Sequence, residues 1–271
     1  MNLKAVVKNA PVTIFVSLVS IISILVSFAP IGGDDKFLIL ATLIVPIPTI
    51  IAIALAAMTG GVRAFLRRDL NWSVDLRWLL VGLGIALAAR LLTGVLALLT
   101  GAISAIEVGE LVIPLAVITY LFALLEEIGW RGFAVRKLIQ SRTPFAALLI
   151  TGIPWSIIHI FYYFNQAADL TTLAQVFVAN FTLTVMVTWI YLRSGQKIWA
   201  SVVLHGSQTL FSILTSSIPI DLFGQFWVIS YSLIALALLA LDWRMWFAPP
   251  EAAPTNTSDD PLHDQQAQAG V

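Results

Sequence analysis

The sequence predicts an all-α fold, a polytopic bundle of about eight helices, each crossing a lipid bilayer with both chain ends on the cytoplasmic side. Composition is the first observation behind this. Of 271 residues, 59% are hydrophobic and only 11% charged, less than half the charged share of an ordinary soluble domain. The second is the spacing of the apolar residues, which fall in blocks near the ~20 residues a helix needs to cross hydrocarbon. The third is the placement of the basic residues along those blocks.

Taken in order, the apolar blocks run over 11–29, 37–58, 78–100, 111–130, 146–164, 171–193, 198–217 and 226–247. The first follows Lys4 and Lys8 in the manner of a signal peptide, but Pro30 directly after Ala29 makes a poor cleavage site, so the block reads as a retained span. Polar or glycine- and proline-containing breaks separate the blocks, among them Gly32 to Asp35, Gly60 to Arg77, Glu107 to Glu110, Ser141 to Pro144, Gln166 to Thr171, Ser194 to Lys197 and Pro219 to Gln225. With the N-terminus inside, every lysine and arginine except Lys36 and Arg90 falls in or beside an inside loop, while Asp34, Asp35, Glu107, Glu110, Asp169 and Asp221 fall outside. Dropping one span would scramble this alternation, so the positive-inside rule fixes the count. Residues 1–247 read as one membrane domain with its motif-bearing core at about 111–217. Residues 248–271 read as a disordered cytoplasmic tail, rich in Pro, Ala, Asp and Gln. Compact loops and the lack of organelle signals point to a bacterial plasma membrane.

Other features narrow the function. Formal charge is zero and no basic run is interleaved with aromatics, so no nucleic-acid partner is expected. There is no cysteine, which removes thiolate nucleophiles and Cys-based zinc sites.

Ionisable groups inside a membrane span cost about 2.5–3.5 kcal/mol each on insertion scales and are functional suspects by default. His263 lies in the tail, but His159 and His205 sit within apolar blocks, and Glu126 and Glu127 lie near the end of a third. Glu127 and Arg131 are i,i+4, which lets them pair on one helix face. Glu126 is turned about 100° from Glu127 and is free to face the bundle interior. Trp155 and His159 are i,i+4, as are His205 and Thr209, with Gln208 on the neighbouring ridge. Glu126 lies 17 residues before Thr143 and His159 lies 16 after it. Antiparallel helices joined at that turn therefore bring the two to one level, ~24 Å from the turn at 1.5 Å per residue.

At these residues the sequence resembles the CPBP family, the CAAX-protease and bacteriocin-processing intramembrane endopeptidases also known as abortive-infection proteins. Its Glu-Glu-x-x-x-Arg motif stands as Glu126-Glu127-Ile128-Gly129-Trp130-Arg131, followed by Gly132-Phe133. Its aromatic-x-x-x-His motif stands as Trp155 to His159, and its His-x-x-x-Asn motif as His205 to Thr209, with Tyr191 to Gly195 and Ile198-Trp199 upstream. The likeness covers roughly 115–215. It implies a peptidase acting on a membrane-associated peptide or lipidated protein. Glu126, assisted by His159, would activate a water, and His205 with the residue at 209 would stabilise the oxyanion. Glu127 and Arg131 would support the geometry. Thr209 departs from the better-known Asn, which puts its oxyanion role in question, and Gln208 is a candidate substitute.

Some alternatives remain open at this stage. Glu126, His159 and His205 could instead hold zinc, as a two-His, one-carboxylate set, although the His-Glu-x-x-His signature is absent. Thr209 would also suit a non-catalytic immunity protein or scaffold of the same fold. A proton-coupled transporter would use the same groups as a relay, but paired broken helices of the kind such carriers show are not apparent. Trp130 and Trp155, flanking the motifs, are candidates for cavity walls, and Asn180 and Arg90 for helix-to-helix contacts.

Overall fold

In the computed structural model, residues 3–33, 36–164 and 168–250 are described, and among them every regular element is a helix. The chain opens with α1 (Leu3–Asn9) and α2 (Pro11–Ser27), then α3 (Lys36–Ile44), α4 (Ile47–Met58), the short amphipathic α5 (Val62–Asp69) and α6 (Leu76–Leu99). It continues with α7 (Ile113–Glu127), a π-helical stretch (Ile128–Val135), α8 (Arg136–Leu138), α9 (Pro144–Phe164) and α10 (Leu170–Arg193). It closes with α11 (Ile198–Leu210), a 3₁₀ turn (Phe211–Thr215), α12 (Ile220–Leu241) and α13 (Trp243–Trp246).

Among the described residues, seven stretches are long and apolar enough to cross a bilayer: Leu38–Met58, Leu76–Leu99, Ile113–Leu138, Pro144–Tyr163, Leu170–Arg193, Ile198–Thr215 and Ile220–Leu241. The expected first span, α2, has 17 residues, the lower limit of spanning length. The multi-pass helical bundle read from the apolar blocks is thus the observed architecture. Most of the tail expected over 248–271 lies outside the described residues.

Local chemistry sets the helix ends. Asp75 and Asp169 occupy N-cap positions and accept hydrogen bonds from the backbone N–H of Arg77 and Thr172, satisfying donors that a helix start leaves orphaned. Gly195 and Gln196 both adopt left-handed backbone (φ +74° and +61°), so the chain reverses sharply between α10 and α11. The second span is one apolar block in the sequence but two helices in space. Pro46 and Pro48 have no N–H to donate, and the helix breaks between Ile44 and Ile47.

α10 and α11 form the centre. α11 packs against α6, α7 and α10, and α10 against α9 and α12. At Gly206 an added Cβ would lie 2.5 Å from the Tyr120 ring, so the close approach of α7 and α11 requires glycine there. That approach brings the Glu126-Glu127 pair beside His205.

Candidate active site

The Glu-Glu pair ends α7 where the helix changes pitch. Pro48 and Thr49 of α4 lie against this point. The Thr49 hydroxyl donates to the Leu125 carbonyl, which in an unbroken α-helix would accept from Gly129. A Cβ on Gly129 would meet Pro48 at 2.5 Å. A competing donor and a close neighbour at one step are recognised causes of a helix irregularity, and a π-helical segment follows at once. Such segments concentrate at functional sites.

Glu127 is fully buried and holds two partners through one oxygen. Arg131 Nη1 donates to its Oε1 at 3.0 Å, and His205 Nδ1 lies 3.0 Å from the same atom. A guanidinium does not deprotonate, so the Glu127 that binds it is a carboxylate, and His205 Nδ1 carries the proton it donates. The imidazole is thereby fixed with Nε2 directed away from Glu127, towards Glu126. The distance from Nε2 to Glu126 Oε2 is 3.7 Å, beyond a direct hydrogen bond and a spacing at which a bridging water is the natural question.

His159 is held differently. Its Nδ1 lies 2.8 Å from the Trp155 carbonyl one turn earlier. A carbonyl can only accept, so this Nδ1 also carries its proton, leaving Nε2 for other contacts. The Trp155 indole touches both imidazoles edge-on, at 4.5 Å from His159 and 5.6 Å from His205, and Arg131 lies over its face at 5.7 Å. Glu126, His159 and His205 are thus within electrostatic range of one another. Trp155 forms a wall of the site, whereas Trp130 packs edge-on against Phe15 in the core. Among the described residues, Glu127 Oε2, Arg131 Nε and Nη2, and Trp155 Nε1 are buried without hydrogen-bond partners.

Thr209 stands apart from this cluster. It is exposed and lines a cavity of about 220 Å³ with Glu110, Leu115, Ala116, Thr119 and Ser216. Along the helices, this cavity begins one turn beyond His205 and two turns before Glu126, about 6 and 10 Å at 1.5 Å per residue. Gln208 is buried instead, accepting from the Tyr231 hydroxyl through its side chain and from Arg90 Nε through its carbonyl at 2.8 Å. Asn180 bonds within its own helix, donating to the Val176 carbonyl.

Among the described residues, no three His, Asp or Glu side chains stand close enough together to hold a metal ion. Glu126, His159 and His205 therefore do not fit zinc in this arrangement.

Two partnerships could not be read from the sequence. Glu127 serves His205 as well as Arg131, because α11 lies directly against α7, and helix adjacency has no local signature. Tyr120 shares a hydrogen bond with Ser207 at 2.8 Å for the same reason. The twin carboxylates were the available signal, since one arginine satisfies only part of what two glutamates can accept.

Fold and site together define a class: a multi-pass helical membrane protein with a buried Glu-Glu-Arg-His cluster joining two of its helices. Residues 108–211 match the family of the type II CAAX prenyl endopeptidase Rce1-like proteins, a stretch that contains all three motifs. The chain is also 26% identical over 147 residues to CAAX prenyl protease 2 of Methanococcus maripaludis, across 50% of this chain and 52% of that protein. It spans about half the length of that curated relative. Both matches support membership of the CPBP family, to which the motifs point.

Proposed function

We propose that this chain is an intramembrane endopeptidase that hydrolyses a peptide bond of a membrane-associated substrate with a water activated by Glu126. The observation that carries this reading is the chain of contacts Arg131–Glu127–His205, which fixes one histidine with Nε2 facing a second carboxylate. A water between Glu126 Oε2 and His205 Nε2 donates one hydrogen bond to each. Its oxygen lone pair is then free to attack a carbonyl carbon. Glu126 takes the proton released on attack and passes it to the departing amine, so the carboxylate is regenerated.

His159, whose Nδ1 proton is committed to Trp155, lies beside Glu126 and completes the polar lining around the attacked bond. Glu127 and Arg131 never touch substrate in this scheme. They orient His205, as the third member of a triad orients its base. The cavity bordered by Thr209 and Thr119 is the approach for the peptide, so Thr209 contacts substrate without serving as the oxyanion donor. The names of the family and of the archaeal relative favour a prenylated, C-terminal CAAX-type substrate.

The test is cleavage of a prenylated reporter peptide by purified protein in proteoliposomes, beside Glu126→Gln. This isosteric change should abolish turnover and leave folding intact. Equal cleavage by the variant would refute the assignment. Intact peptide with every variant and the parent, from well-folded protein, would favour a non-catalytic role.

A further inference from the structure

A second cavity, of about 280 Å³, opens where two membrane spans end. The span through α4 stops at Met58 and the one through α7 and α8 at Leu138, and residues on both sides line the cavity. Its floor is apolar, formed by Ala56, Phe65 and Phe133. Its rim carries Arg68, Arg136 and Lys137, with Gln140 beside them.

Three cations thus surround one space whose lining, among the described residues, holds no acidic group; the neighbouring carboxylate is already engaged. Asp69 is bound by Arg68 through Nε and Nη2 at 2.7 and 3.0 Å and lies against Gly132. Burial pushes its carboxyl above the ordinary carboxylate range against the pull of Arg68 and Arg136. Arg68 lies close enough to Lys137 to repel its ammonium. Like charges converging on one cavity at the membrane edge form the kind of basic pocket that receives lipid head groups.

We infer that this cavity binds a phosphate group, with Lys137 as its least committed cationic ligand and Arg68 and Arg136 as partly shared ones. The apolar floor favours a phosphate carried by an anionic lipid, whose glycerol would rest on Phe65 and Phe133, over a free anion. The site is separate from the Glu126–His205 cluster and does not depend on its chemistry.

The test uses the full chain in phosphatidylcholine nanodiscs, with phosphatidylglycerol titrated in and binding read by native mass spectrometry and thermal unfolding. The parent should bind saturably. Lys137→Ala should weaken apparent affinity about fivefold and Arg136→Ala/Lys137→Ala about 25-fold, at roughly 1 kcal/mol per cation. Lys137→Arg should stay within about twofold of the parent. The charge-matched pair Arg63→Ala/Arg67→Ala, on the exposed side of α5 outside the cavity, should also stay within about twofold. Inorganic phosphate added to phosphatidylcholine discs separates the sources. Protection by phosphate alone assigns a soluble anion, and protection by the lipid alone assigns the head group. Equal losses in both charge-matched pairs, or no saturable binding of either ligand, would overturn the site.

Discussion

The two membrane histidines occupy similar apolar helices and answer to different masters. His159 gives its Nδ1 proton to the carbonyl of its own helix, one turn back. His205 gives its own to Glu127 on another helix, which Arg131 also holds. The first contact is made as soon as α9 forms. The second exists only when α7 and α11 have docked, which ties the site to the correct assembly of the bundle. Two identical motif letters in a sequence can therefore mark one side chain satisfied locally and one satisfied across the fold.

The largest effect that would break this comparison is catalytic. His205→Ala should lower turnover of the reporter peptide about 10²- to 10⁴-fold, the range for removing a positioned acid–base group. Parental rates from this variant would remove His205 from the mechanism. Glu127→Ala comes next and is read as stability. It strands Arg131 in a fully buried position, which should cost on the order of 3–5 kcal/mol, measured by tryptophan-detected unfolding in detergent. A shift no larger than that of an exposed substitution would show that the Arg131–Glu127–His205 chain is not structural.

The comparison sharpens in the paired variants His205→Asn and His159→Asn. The former abandons a charged acceptor and should cost about 1.5–3 kcal/mol. The latter loses a neutral bond within one helix and should cost about 1 kcal/mol. Reversal of that order would mean that the Trp155 contact is the stronger anchor. The smallest effect belongs to Thr209→Ala. An exposed threonine beside a cavity should shift stability by no more than about 0.5 kcal/mol and raise KM more than it lowers kcat. A collapse of kcat would return Thr209 to the oxyanion role.

The bundle was legible because membrane helices announce themselves. Each must be long, apolar and internally hydrogen-bonded, so the polar breaks at Gly60 to Arg77 and Ser141 to Pro144 marked real ends. The Glu127–Arg131 pair was legible for the same reason: i,i+4 spacing is local. What escaped was set by neighbours. The π-helical stretch arises where Thr49 and Pro48 meet Leu125 and Gly129, residues about 80 positions apart that no periodicity connects. The break before Ile47 sits inside an unbroken apolar run. Thr209 stands at i,i+4 from His205, but the face it shares turns towards the cavity lined also by Thr119. Spacing alone does not say which neighbour a face will meet.

The π-helical stretch has a consequence for length variation in this chain. It holds Glu127 at one end and delivers Arg136 and Lys137 at the other. Loss of a single residue between Gly132 and Val135 would relax it towards an ordinary α-helix while leaving Glu126, Glu127 and Arg131 in place. Everything downstream would keep its facing, because the wider turns already absorb one extra residue; insertion of one more would instead swing Arg136 and Lys137 by about 100° away from Arg68. One codon gained after Arg131 would thus break up the basic rim, whereas one lost there would leave both it and the Glu127–Arg131 pair intact.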